Sequence, residues 1–100
     1  MAAPVEIVDR QKFAEMLQKT LPEVQKLASE LPTWPVIHSA LKQLEFMKTV
    51  TEEPRDPTDE EKERINVGVL AMRNFEESHP ALADRLQELD YAFRRYEALP

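Results

Sequence analysis

Apolar residues recur every three or four positions along most of this chain, and that spacing constrains the fold more than any other feature. It is the period of an α-helix that buries one face. The 100 residues include a single glycine, Gly68, whereas strand-rich domains need glycine in many turns. The length suits one domain. The sequence therefore predicts one all-α domain over residues 1–100, a small antiparallel bundle of about four helices.

The first predicted helix runs from about Asp9 to Glu30 and contains Pro22. Proline lacks a backbone N–H and disturbs a helix interior. Thr20 and Glu23 also have the spacing of a capping box that would begin a new helix. The apolar phase nevertheless continues across the proline. Two alternatives stay open, namely one helix kinked at Pro22 or two collinear helices broken there.

The second helix is predicted from about Trp34 to Thr51, after a turn in which prolines flank the tryptophan. The third is predicted to begin at Thr58, because Glu61 completes a capping box and acids fill the first turn. Its pattern predicts a helix that reaches Glu77.

The fourth helix is predicted to be capped by Ser78, with Pro80 in its first turn. The link to the third helix is short, which favours an antiparallel hairpin. One apolar stripe follows the fourth helix, formed by Leu82, Leu86, Leu89, Phe93 and Tyr96.

Charge restricts the partners of this chain. The net charge is −6, and residues 52–90 hold twelve acids against five bases. Nucleic acids require Lys and Arg for their phosphates, so we expect no nucleic-acid binding. An acidic half permits a basic protein partner, with electrostatic steering of the encounter. No apolar run matches a membrane span, and no signal-peptide pattern is seen, so we expect a cytoplasmic protein without a membrane partner.

The sequence contains no constellation that favours catalysis. His38 and His79 lie on different segments, and neither belongs to a His-Glu-x-x-His pattern. A single glycine inside a helix cannot form a phosphate-binding loop. The acidic run at residues 59–63 lacks the spacing of a calcium loop and is explained by a helix first turn. We therefore predict a protein that is not an enzyme, without catalytic, cofactor-binding or metal-binding residues.

Helical wheels then separate core positions from the rest. In the second helix the predicted core face comprises Ile37, Ala40, Leu41, Leu44 and Met47. In the third helix it comprises Ile65, Gly68, Val69, Met72 and Phe75. The opposite side of the third helix is also apolar and carries Val67, Leu70, Ala71 and Asn74. That helix is therefore either central in the bundle or shared with a partner.

Side chains that the core does not use are candidates for binding. Phe46 points away from the core face of the second helix, although packing on the first helix is an alternative. Tyr91 points away from the stripe of the fourth helix, among acids. The predicted partner-binding residues are Gln43, Phe46, Asn74, Glu76, Glu77, Asp84, Gln87, Glu88 and Tyr91.

Two blocks of sequence carry a resemblance to a known family. The first is the run from Ser39 to Leu44, followed by Phe46, Lys48 and Val50. The second comprises Gly68-Val69-Leu70-Ala71, Phe75-Glu76-Glu77 and Pro80-Ala81-Leu82, with a helix to Tyr91 behind it. In order and spacing they resemble the type VI secretion immunity proteins that neutralise effectors hydrolysing NAD⁺ and NADP⁺. The likeness covers about residues 33–93, and the N-terminal segment from Pro4-Val5-Glu6 to Asp9-Arg10 is also similar. The segment around residues 11–30 is longer than in the family, and the turn around Trp34 differs.

The resemblance implies a cytoplasmic inhibitor that caps the toxin's NAD-binding cleft and blocks substrate entry. A pyrophosphate site is usually electropositive, which suits the acidic half of this chain. Under this hypothesis the chain itself binds no cofactor. The alternative from the residues alone is a non-catalytic helical adaptor or a self-associating structural module. A homodimer of the free protein also stays open.

Overall fold

The computed structural model describes residues 7–53 and 55–100. Most residues in these two ranges are helical, and neither range contains a strand. The elements are α1 (Arg10–Glu30), α2 (Pro35–Glu52), α3 (Asp59–Glu63), α4 (Val67–Asn74), α5 (Pro80–Arg94) and a final 3-10 helix (Tyr96–Ala98). The predicted all-α bundle is confirmed. Pro4-Val5-Glu6, part of the resemblance, lies outside the described residues.

The first helix is continuous through Pro22, so the alternative of two collinear helices is wrong. Its start is fixed by Asp9, whose carboxylate accepts a hydrogen bond from the Lys12 backbone N–H at 2.7 Å. Thr20 is buried inside the helix and does not cap a new one. Pro22 is on the exposed side, where water can satisfy the Gln18 carbonyl that loses its usual donor.

The second helix matches its prediction to within one residue at each end. Pro35 stands at its first position, where the missing N–H costs nothing. Four of the five predicted core residues are buried, and Leu41 is half-buried. The helix packs against α1 and α4.

The predicted single helix from Thr58 to Glu77 is wrong, because residues 64–66 separate α3 from α4. The predicted start is confirmed: the Thr58 hydroxyl accepts from the Glu61 N–H at 3.2 Å, and the Glu61 carboxylate accepts from the Thr58 N–H at 2.8 Å. Ile65 and Val67 are both buried. Two residues apart on one helix, they would point in widely different directions. The break lets both enter the core.

The break also changes which side of α4 faces inward. Val67 and Ala71 are buried, although the wheel placed them opposite the core. Val69 and Met72, which the wheel placed in the core, are 44% and 51% exposed. That part of the prediction is wrong, because the wheel took its phase from Ile65, which lies in the non-helical segment before α4. Phe75 is buried, as predicted.

The fourth predicted helix is α5, and all five residues of its apolar stripe are buried, as predicted. The predicted cap is wrong: the N-cap residue is His79, and its side chain makes no capping bond. Ser78 lies one residue earlier, with its hydroxyl 2.8 Å from Nδ1 of His79. Gly68 on α4 pairs with Asp90 on α5, and these helices form the predicted antiparallel hairpin.

Aromatic contacts connect the helices of the core. The ring of Phe13 on α1 lies 6.4 Å from that of Phe93 and 5.4 Å from that of Tyr96, the latter edge-on. Trp34, at the start of α2, meets Phe75 edge-on at 5.2 Å. These offset and edge-to-face geometries are favourable for aromatic pairs. They hold α1 against α5 and anchor the end of α4 beneath α2.

Candidate partner-binding surface

A face with exposed apolar side chains runs along the α4–α5 hairpin. We call it the α4–α5 face and define it by Val69, Met72, Glu76, Gln87 and Tyr91. The Gln87 amide donates to the Glu76 carboxylate at 3.3 Å and joins α5 to the turn that follows α4. Tyr91 follows Gln87 by one helical turn, and Met72 lies in the last turn of α4 before Glu76. Tyr91 is 54% exposed, which agrees with its predicted outward orientation.

A buried carboxylate holds the two helices of this face together. Asp90 accepts from the Gly68 N–H at 2.8 Å and from Nε of Arg94 at 2.7 Å. The Arg94 guanidinium also donates to the Ile65 carbonyl in the α3–α4 break. A Cβ on Gly68 would lie 3.0 Å from a carboxylate oxygen of Asp90. Gly68 thus permits a close approach of α4 and α5.

The wheel analysis overlooked Asp90, although its position carries a signal. Asp90 follows Leu86 by four residues and precedes Phe93 by three, so it lies at the edge of a buried stripe. A carboxylate at such an edge is stable only with hydrogen-bond donors opposite it. The neighbouring helix supplies one through the bare N–H of Gly68. An acid in an apolar stripe is therefore a detectable sign of a structural contact.

Acidic side chains surround the α4–α5 face. Glu77 and Asp84 are exposed, and within residues 7–53 and 55–100 no Lys or Arg nitrogen lies within 4.0 Å of either carboxylate. Glu88 accepts from the Ile7 N–H at 2.8 Å. The guanidinium of Arg95 lies over the Tyr91 ring at 4.9 Å. Apolar centres with a polar rim are typical of protein–protein interfaces.

The remaining predicted binding residues lie elsewhere. Gln43 on α2 accepts from the Asn66 N–H at 2.8 Å and donates to the Asn66 side-chain oxygen at 2.6 Å. It also donates to the Ser39 hydroxyl at 3.2 Å. We call the contact region of Gln43 and Asn66 the α2–α4 edge. Asn74, at the end of α4, donates to the Leu70 carbonyl at 2.9 Å.

Phe46 belongs to the α2–α4 edge. Its ring is half-buried, and the guanidinium of Arg64 lies 5.3 Å from the ring centre. The structure therefore divides the predicted residues into two groups. One group gathers around the α4–α5 hairpin and comprises Glu76, Glu77, Asp84, Gln87, Glu88 and Tyr91. The other comprises Gln43 and Phe46 on the α2–α4 edge, with Asn74 at the far end of α4. Their role in binding stays a prediction for both groups.

Three acids around the start of α3 are paired inside the chain, namely Glu53, Asp56 and Glu61. Arg55 donates to both carboxylate oxygens of Glu61, at 2.7 and 2.8 Å, and to Glu53 at 2.5 Å. The hydrogen bonds from Arg55 and from the Thr58 backbone lower the pKa of Glu61 to about 2. These bonds occupy acceptor positions that a partner would need. Glu77 and Asp84 beside the α4–α5 face have no ion pair among the described residues, and their carboxylates are open to intermolecular contacts.

The histidines contact nearby chain segments. Nε2 of His38 lies 3.3 Å from the Leu31 carbonyl, and the His79 ring meets Phe75 edge-on at 6.5 Å. Among the described residues, no three acidic or histidine side chains form a group able to hold a metal ion. The same residues include no helix with the length and hydropathy needed to span a membrane.

A helical domain with an apolar face and an acidic rim has the features of a protein that acts by binding another protein. Comparison with known proteins identifies the family. The family model of Tsi6 matches residues 12–95. The solved structure of Tsi6 from Pseudomonas aeruginosa aligns with a TM-score of 0.69 at 28% identity, covering 79% of this chain and 81% of that chain. No curated protein matches significantly. The chain therefore belongs to the Tsi6 family of type VI secretion immunity proteins, as the resemblance predicted.

Proposed function

We propose that this chain is a cytoplasmic immunity protein that binds and inhibits a cognate type VI effector, specifically one that hydrolyses NAD⁺ and NADP⁺. Its membership of the Tsi6 family supports the immunity role. The α4–α5 face carries the proposal, because Val69, Met72 and Tyr91 expose apolar surface that the core does not use. Such surface is costly in water and gains free energy when a partner covers it.

The proposed inhibition is steric and involves no bond-making step. The α4–α5 face covers the mouth of the effector's nucleotide cleft and keeps the dinucleotide out. Glu77 and Asp84 then face the positive groups that bind the pyrophosphate. Opposite charges on the two surfaces accelerate encounter and disfavour incorrect partners. In this proposal the chain acts as an inhibitor rather than an enzyme and needs no cofactor of its own.

Co-expression tests the immunity role. The effector encoded beside this gene should stop growth and deplete cellular NAD⁺ when expressed alone, and this chain should reverse both effects. A chain that restores growth while NAD⁺ stays depleted contradicts the proposed target chemistry. A chain that restores neither contradicts the immunity role for this pair.

Tyr91→Ala tests the proposed surface. The Tyr91 side chain is half exposed, so its truncation should leave the thermal midpoint almost unchanged. Its loss should weaken effector binding by about tenfold or more, as expected for an aromatic interface residue. Isothermal titration calorimetry with the purified effector domain measures the change, with Lys26→Ala on α1 as an exposed control. Unchanged affinity of Tyr91→Ala for the effector would show that the interface does not include Tyr91.

The exposed Val69 and Met72 also suit a second candidate, a self-associating structural module. Light scattering of the purified chain separates the two. A monomer that forms a 1:1 complex with the effector supports the immunity proposal. A large obligate oligomer that ignores the effector supports the module.

A further inference from the structure

A cationic patch lies on the α2–α4 edge and is not part of the α4–α5 face. We define the patch by Lys42, Phe46 and Arg64. Lys42 precedes Phe46 by one helical turn, so both lie on the same side of α2. Arg64 reaches the Phe46 ring from the α3–α4 break. A shallow concavity of about 380 Å³ lies between them, and its lining contains no acidic residue.

Both cations of the patch lack an internal ion-pair partner. Within residues 7–53 and 55–100, no carboxylate oxygen lies within 4.0 Å of the charged groups of Lys42 or Arg64. Arg64 directly follows the acidic helix α3, yet its guanidinium lies over a ring. By contrast, Arg55 and Lys62, near the same helix, are both paired with glutamates. On a chain of net charge −6, these two unpaired cations line a single concavity.

The patch is also held in place before any partner arrives. Gln43 forms part of the concavity, and its amide is fixed by both the backbone and the side chain of Asn66. Stacking on Phe46 limits the conformations of the Arg64 side chain. Less side-chain freedom is therefore lost when a partner binds. A planar guanidinium beside an aromatic ring can take a carboxylate through two parallel hydrogen bonds while the ring contacts an apolar neighbour.

We propose that the patch of Lys42, Phe46 and Arg64 binds a segment of the effector that carries an Asp or Glu next to an apolar residue. This inference rests on the proposed function and adds a second contact of opposite charge. Charge complementarity selects the occupant, since the patch is positive and its concavity contains no acid. The effector would then present basic groups to the α4–α5 face and an acidic segment to the patch. Because the α4–α5 face is acidic and the patch is cationic, only one orientation of the effector pairs opposite charges at both contacts. An effector without this arrangement of charges is disfavoured.

Charge reversal at Arg64 tests the proposal. Arg64→Glu should lower affinity for the purified effector domain by about tenfold or more, because it places like charges opposite each other. Lys42→Glu should have a smaller effect, since an ammonium lacks the paired geometry of a guanidinium. Arg64→Lys should fall between wild type and Arg64→Glu. Lys26→Glu is the matched control, an exposed lysine on α1 without an ion pair, and should stay within about twofold of wild type.

Stability and salt measurements separate binding from folding. Arg64→Glu breaks no ion pair and removes only the exposed contact with the Phe46 ring, so it should lower the thermal midpoint only slightly. The difference in affinity between wild type and Arg64→Glu should shrink as salt rises from about 50 to about 500 mM, because salt screens the interaction. A difference that does not depend on salt would contradict a charge contact.

Three other outcomes would overturn the proposal. Wild-type affinity for Arg64→Glu, together with weak binding by Tyr91→Ala, would confine the effector to the α4–α5 face and leave the proposed function intact. If free Arg64→Glu and free wild type differ in mass by light scattering but bind the effector equally well, the patch would be assigned to contacts with a second copy of this chain. Absence of effector binding by wild type would overturn both proposals.

Discussion

Helix α5 and the segment at residues 58–77 look alike in sequence but fold differently. Each begins with a recognisable start signal and continues with apolar residues at helical spacing. In α5 a single stripe is buried from Leu82 to Tyr96, and the helix continues to Arg94. In the other segment Ile65 and Val67 are both buried, which one straight helix would not allow, and residues 64–66 interrupt the helix. A capping box therefore fixes where a helix starts but not how far it continues.

The two regions also differ in what holds their ends. α5 begins with Pro80, a local feature that suits a first helical position. The N-cap residue of α4 is Asn66, and its side chain makes no capping bond. Gln43 from α2 and Asp90 from α5 supply the missing partners to the backbone of Asn66 and Gly68. The short helix α4 thus depends on its neighbours, whereas α5 carries its own apolar stripe.

Truncation within the stripe of α5 should have the largest effect. Leu86 is fully buried, so Leu86→Ala should lower the free energy of unfolding by about 2–5 kcal/mol. Met72 on α4 is half exposed, so Met72→Ala should change it by about 0.5 kcal/mol or less. Urea denaturation followed by circular dichroism measures both. Equal losses would show that the outer side of α4 is core after all.

The sign of the Gly68→Ala effect gives the second test. In one continuous exposed helix this change would stabilise by up to about 1 kcal/mol, because alanine is the better helix former. Here the new methyl group would meet the Asp90 carboxylate, so we expect a loss of about 1–3 kcal/mol.

Asp90→Ala provides the matched background for that test. With the carboxylate absent, the added methyl group has space, and Gly68→Ala should lose most of its cost. A double-mutant cycle by urea denaturation isolates this coupling. Additive effects would contradict the contact that the structure shows between α4 and α5.

The pattern of residues predicted those parts of the fold that depend on local sequence. The all-α class, the extent of α2, the stripe of α5 and the outward Tyr91 all follow from helical spacing. The break before α4 could not be predicted in this way, because it depends on which neighbours bury Ile65 and Val67. The residues of the α4–α5 face were identified only in part: Glu76, Gln87 and Tyr91 were among the candidates, but Val69 and Met72 were assigned to the core.

The two groups of candidate binding residues show the same limit. Spacing shows that Gln43 and Gln87 both point away from a core face, but it cannot show what each meets. Gln43 meets Asn66 and completes the start of α4, whereas Gln87 meets Glu76 across the hairpin. Whether an outward polar residue stabilises the fold depends on contacts between distant segments, which helical spacing does not reveal.

Loss of the Gln43 cap should have a moderate effect. Gln43→Ala leaves the Asn66 N–H without its acceptor, and we expect a loss of about 1 kcal/mol in the free energy of unfolding. Hydrogen exchange should quicken at the start of α4 and stay unchanged in α5. Exchange that quickens equally in both helices would mean that the two regions open together, which would contradict the local role of this cap.

The smallest effect should come from acid, and it should separate α3 from α5. α3 has five residues, none of them buried, and its start depends on the carboxylate of Glu61. Arg55 and the Thr58 backbone hold the pKa of that carboxyl at about 2, below its ordinary value of 4.5. A pKa that is lower in the folded state stabilises that state at pH values above the ordinary pKa. This stabilisation is lost as the pH falls from about 4.5 towards 2.

Nuclear magnetic resonance of the Glu61 carboxyl should show a midpoint near 2, with the amides of α3 shifting alongside it. Glu61→Gln keeps an oxygen for the Thr58 N–H but loses the charge, so the α3 amides should no longer respond in this range. A Glu61 midpoint near 4.5 in the wild type would mean that Arg55 does not hold the carboxylate, and that α3 depends on its capping box alone.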